Sequence, residues 1–212
     1  MKWTFLIFGF IMSNFSPLYS QHKVADSVRR VYQFSVSQYP QKVTLTEYPD
    51  QMYSGLITTH FYKGKYGNTG FLDRLWKNMW QIRSKKIVDS LEIDPVIVRK
   101  LMAKLQNEGI ETIKNCPDDK ECKAIAFLDG GGVSFEITTG IVNRKYSFEE
   151  IHPSKLDNIE KTTIRRQAQL LVSAIHEGID FKSLFAKSTS QLAKGHYYYG
   201  GNGNFFATFY KK

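Results

Sequence analysis

Val133-Ser134-Phe135-Glu136-Ile137-Thr138 alternates apolar and polar residues at every step. A period of two places Val133, Phe135 and Ile137 on one face and Ser134, Glu136 and Thr138 on the other, as in a strand with one buried side. Asp129-Gly130-Gly131-Gly132 precedes it with residues suited to a turn, and Thr139-Gly140 follows with another. Further strand segments are read on the far sides of the two turns, at 123–128 and 141–148. The stretch therefore predicts a three-stranded antiparallel meander.

Hairpins are expected on either side of it. The β-forming run Val43-Thr44-Leu45-Thr46-Glu47-Tyr48 is followed by Pro49-Asp50 and then by an alternating segment over 53–62. At the far end, Tyr197-Tyr198-Tyr199 and the run from Phe205 to Tyr210 enclose Gly200-Gly201-Asn202-Gly203-Asn204, the pattern of an aromatic hairpin.

Helices fill the intervals. Val24, Val28 and Val31 predict a short one over 23–35. A loop with three glycines, at 64–70, leads to a helical apolar face of Phe71, Leu72, Leu75, Trp76, Met79, Trp80 and Ile82 running to about residue 84 or beyond. Asp94 can cap, Pro95 suits the first helical position and Gly109 suits the stop, with Ile97, Val98, Leu101, Met102 and Leu105 as the stripe between. Pro153-Ser154 opens a helix carrying Leu156, Ile159, Ala168, Leu171, Val172 and Ile175 and ending at Gly178. Asp180 caps a shorter one with Phe181, Leu184 and Phe185. The fold class is α+β: an antiparallel sheet of a meander plus hairpins, covered by helices on one face, in a single compact domain over 21–212.

Residues 1–20 read as a secretory signal peptide. Lys2 is followed by an apolar run from Trp3 to Met12, then Pro17 and the small Ser20 before Gln21. The run of about ten residues, broken only by Thr4 and Gly9, suits a signal and falls short of the ~20 that span a bilayer. The 212-residue chain has a net charge of +9, of which loss of Lys2 leaves +8. The expected location is exported, periplasmic or extracellular, with no transmembrane span in the mature chain. Cys116 and Cys122 are the only cysteines. Beyond the reducing cytosol the pair is expected to form a disulfide, worth about 2 kcal/mol for so short a loop.

The motifs exclude more than they assign. Asp129–Gly132 runs into a strand, whereas a phosphate cradle needs a following helix. His176-Glu177 has Asp180, not histidine, one helical turn on, so a zinc-protease pair is missing. No Gly-x-Ser-x-Gly elbow occurs. Glu149 and Glu150 are adjacent and point apart in a strand. No catalytic residue, metal ligand or cofactor is assigned on these grounds. Basic pairs are scattered rather than blocked, and no RNP strand, helix-turn-helix or zinc finger speaks for nucleic acid. Positive charge and 14% aromatic content suit an anionic glycan, a lipid head group or another envelope protein. Tyr197, Tyr199, Arg165 and Arg166 are the candidate contacts. The sequence therefore points to an exported, non-enzymatic binding or structural module of the envelope or extracellular space. Two other classes stay open: an envelope-directed hydrolase whose site assembles only in three dimensions, and an inhibitor or effector binding a protein through the aromatic hairpin.

Overall fold

The computed structural model describes residues 28–36, 39–63, 85–125, 131–154, 158–200 and 206–211. The signal segment, the 64–84 loop and helix, and the Asp129-Gly130 turn lie outside them. Among the described residues eight antiparallel strands form one sheet. In chain order they are β1 (Arg30–Val36), β2 (Gln41–Glu47), β3 (Tyr53–Lys63), β4 (Lys85–Ile93), β5 (Gly132–Thr139), β6 (Asn143–Glu149), β7 (Gly195–Gly200) and β8 (Phe206–Lys211). The helices are α1 (Pro95–Asn107), a single turn α2 (Lys120–Lys123), α3 (Thr163–Gly178) and α4 (Phe181–Gln191).

The spatial order runs β6-β5-β1-β2-β3, with β4 on one edge of β3. β3 is eleven residues long and outruns β2. β2 pairs along it as far as Thr59, and β7 pairs at Tyr62 and Lys63, while β4 pairs along Gly55–Lys63. Since β4 holds one edge throughout, β2 and β7 share the other, end to end. The terminal hairpin β7–β8 thereby joins the sheet.

One face is buried and the other is open. Tyr32, Phe34, Val36, Val43, Leu45, Ile57, Phe61, Val133, Phe135, Ile137, Tyr146 and Phe148 all turn inward. The register places these inward residues beside one another, as in Tyr32 between Leu45 and Ile137. Helices α1 and α3 supply the covering layer with Val98, Leu101, Met102, Leu105, Ala168, Leu171, Val172 and Ile175, all buried. α1 starts as its sequence dictates: the Asp94 carboxylate accepts from the Val96 amide (2.7 Å), and Gly109 takes φ 79° just past the end. Ile97, expected in its stripe, is exposed.

Four expectations need correction. The first is the helix over 23–35, whose described part is a strand. Tyr32, Phe34 and Val36 follow a period of two, and pairing on both edges outweighs the weak helical spacing of the valines. The second is the strand at 123–128, whose described part, 123–125, is the end of a helical turn; the rest of it lies outside the described residues. Lys120–Lys123 is helical because Asp119 accepts from the Cys122 amide (2.8 Å) and the Cys116–Cys122 disulfide closes the loop, with Cα atoms 5.2 Å apart. β5's other neighbour is β1.

The third is the helix opening at Ser154. α3 begins at Thr163, and its own side chains hold the preceding segment as a strap. Gln169 donates to the Asn158 carbonyl (2.7 Å) and accepts from the Glu160 amide (3.0 Å), while Ser173 Oγ accepts from the Ser154 amide (2.7 Å). Ile159 is exposed on the strap rather than buried on the helix. The fourth is β4, which the sequence reading passes over. Its inward positions are Ile87, Asp89, Leu91 and Ile93, and its outward ones include Val88, so the apolar residues do not alternate.

The approach of α1 to β3 depends on Gly55. A methyl group there would sit 2.5 Å from Val98 Cγ2 and 3.0 Å from Ile93 Cβ. Gly55→Ala therefore forces α1 off the sheet. Urea denaturation is expected to show a loss of about 1–3 kcal/mol; unchanged stability would mean that α1 does not pack at this distance.

Candidate functional site

Three polar assemblies stand out from the apolar interior. The first closes the β1 end of the inner face. Glu47, 4% exposed, accepts from Arg29 Nη1 (3.0 Å) and Arg30 Nη1 (2.8 Å). Arg30 Nε also meets Glu111 Oε1 (2.9 Å), to which the Tyr32 hydroxyl donates. Arg144 donates to the carbonyls of Glu111 (2.6 Å) and Ile113, and Tyr146 to that of Ile110 (2.7 Å). Burial raises the pKa of both tyrosines, with the Glu111 hydrogen bond adding to it at Tyr32. The hydrogen bond to Glu47 raises that of Arg30. Both phenols thus stay protonated donors and Arg30 stays charged near neutrality. The groups clamp the turn after α1 onto the sheet; they are not poised to exchange protons with a substrate.

The second assembly includes a residue singled out from sequence. Arg165 is buried and grips Glu160 with two 2.8 Å bonds. It also donates to the carbonyls of Glu149 (2.9 Å) and Glu150 (3.3 Å). Glu150 carries φ 50°, a left-handed conformation that these contacts help to hold. Its neighbour Arg166 is exposed and donates to the Glu160 carbonyl (3.2 Å). The arginine pair sits on the first turn of α3, apart from Tyr197 and Tyr199 on β7. Tyr197 is 1% exposed, edge-on to Phe61, with its hydroxyl donating to the Ala193 carbonyl (2.6 Å). Tyr199 packs on Phe185 at 4.8 Å. Both rings thus serve the core beneath α4, while the half-buried Tyr198 turns to the other face.

The third assembly was missed from sequence because β4 was. Gln41, Thr59 and Asp89 lie side by side across β2, β3 and β4, all directed inward. Thr59 is wholly buried and Gln41 and Ser188 are 1% exposed. Gln41 Nε2 donates to the Phe181 carbonyl (3.1 Å), but Gln41 Oε1, Thr59 Oγ1, Asp89 Oδ2 and Ser188 Oγ are buried without a partner among the described residues.

The open face is chemically different. Ser147, Ser134, Ser35, Lys42, Thr58 and Ser90 form one row across it, and Lys145, Glu136, Gln33, Thr44, Leu56 and Glu92 the next. Ser35 and Ser134 share a hydrogen bond of 2.8 Å. Beyond these rows Tyr62 is flanked by Tyr198 and Lys86, and His60 by Val88. Lys42, Lys86 and Lys145 are exposed.

Among the described residues no group of three or more His, Cys, Asp or Glu gathers to hold a metal. No described helix is long and apolar enough to cross a membrane. His60, His152, His176 and His196 sit on different elements, and His22 lies outside the described residues. Comparison with known proteins finds no matching family model, curated protein or solved structure.

His176 ends α3 against Tyr39 and Phe181, with ring centroids 5.7 and 5.6 Å away. Burial lowers its pKa from the ordinary 6.5, and burial together with Lys86 and Lys42 lowers that of His60. A base lowered in this way is neutral in both states at high pH. As pH falls through 6.5 the unfolded chain takes up the proton first, so stability is lost from there down to the folded-state value. Urea midpoints between pH 8 and 5 should be flat above about pH 7 and fall below it. His176→Phe, which keeps the ring stack, should flatten part of the fall and leave the share of His60. An unaltered slope in that variant would exclude His176 as a source.

Proposed function

We propose that the chain is an exported binding module that holds an anionic glycan on the open face of its sheet. The observation that carries this reading is the makeup of that face. The row of Ser147, Ser134, Ser35, Thr58 and Ser90 hydroxyls offers both donors and acceptors on a regular strand spacing, as an extended polyhydroxyl ligand requires. Lys86 and Lys145 add positive charge, as does Lys42, which lies 3.9 Å from Glu136, and Tyr62 beside Tyr198 gives rings on which sugar faces can stack. The net charge, +9 for the whole chain and +8 without residues 1–20, draws an acidic polymer toward the protein. Export rests on the signal-like residues 1–20 and agrees with a disulfide, which persists outside reducing compartments. The envelope and the extracellular space are where such polymers occur.

Isothermal titration with a uronic-acid or sulfated polysaccharide tests the reading. Binding should weaken steadily as salt rises. Lys42→Ala, Lys86→Ala and Lys145→Ala combined should weaken it about tenfold, at about 0.5 kcal/mol for each exposed charge. Tyr198→Ala should weaken it while the neutral polymer of the same linkage binds little to either form. Absence of binding, or binding indifferent to both sets of substitutions, would overturn the assignment.

A further inference from the structure

The row Gln41–Thr59–Asp89 is the boundary between two apolar clusters. On β3, Ile57 belongs to the larger cluster and Phe61 to the smaller, with Thr59 between them. On β4, Asp89 stands between Leu91 and Ile87. The row also marks the seam where β2 ends and β7 takes over along β3. Neighbours in such a row have Cβ atoms about 4.5–5.5 Å apart, so the three side chains rise side by side from the sheet.

Helix α4 roofs this place. Its first residue receives the Gln41 amide at its carbonyl, Phe185 packs on Phe61 at 5.9 Å, and the helix also packs on β4. Phe181, Leu184, Phe185 and Ser188 recur at helical spacing on the sheet-facing stripe, and Ser188 is 1% exposed. The unpartnered atoms are all oxygens: an amide carbonyl, two hydroxyls and one carboxylate. Leaving buried oxygens without partners is costly, which calls for something to bind them.

We infer that Gln41, Thr59, Asp89 and Ser188 hold a monovalent alkali cation, Na⁺ or K⁺, between the sheet and α4. Hard oxygen donors select a hard cation over a transition metal. A single carboxylate balances one positive charge, whereas a divalent ion would leave an uncompensated charge in the interior. The site is on the inner face, so it stands or falls apart from the glycan reading of the outer one.

Thermal unfolding of the whole protein in NaCl, KCl and choline chloride at equal ionic strength tests this. One alkali salt should raise Tm saturably over choline, by about 3–5 °C at tenfold excess over Kd. Thr59→Val, which keeps side-chain shape, and Ser188→Ala should abolish the difference. Asp89→Asn should do so too, but the first two variants decide the matter if it fails to fold. Equal Tm in all three salts would overturn the proposal in favour of buried water only. A larger shift with CaCl₂ at matched ionic strength would overturn the monovalent assignment.

Discussion

β1 is held on both edges, and the rest of the fold depends on that double pairing. One edge takes β2 from the neighbouring hairpin and the other takes β5 from the middle of the chain. The registers agree, so Tyr32, Phe34 and Val36 meet Leu45 and Val43 on one side and Ile137, Phe135 and Val133 on the other. A slip of one residue would exchange every buried ring for a polar side chain. Arg30 and Tyr32 oppose such a slip through Glu47 and Glu111, and Glu111 belongs to the turn that leads away from α1. The same few contacts thus fix strand register and the seating of the helical layer.

The two faces that result have different chemistry. At the β1 end of the inner face, charged and phenolic groups satisfy one another and serve as a clasp. Under α4 the inner face keeps oxygens without partners among the described residues, at a cost of about 1–3 kcal/mol for each such group. The outer face, with short hydroxyls, lysines and two tyrosines, is open to solvent. Binding chemistry is therefore proposed in the latter two places and not at the clasp, although the clasp holds more charge.

Strands with strict alternation, such as β5, β3 and β2, were legible in the sequence, as were α1 with its Asp94 cap and Gly109 stop and the disulfide pair. β1 was not, because its apolar residues admit a weak helical spacing and its stability comes from distant partners. β4 was obscured by a valine outside and an aspartate inside, and with it went Asp89. The start of α3 was set by Gln169 and Arg165 reaching back to the strap, a relation between side chains that no cap signal records. Tyr197 and Tyr199 stand out in the sequence as candidate contacts, but which side of β7 faces the core depends on α4. Arg165, a candidate contact in the sequence, is bonded to Glu160 and two carbonyls.

Native-state hydrogen exchange on β1 tests the central claim most directly. If both edges are paired, the amides of residues 32–36 exchange only by global unfolding, with the free energy found by denaturant titration. Exchange of these amides by local opening, as fast as those of the edge strand β6 while β2 and β5 stay protected, would contradict the account.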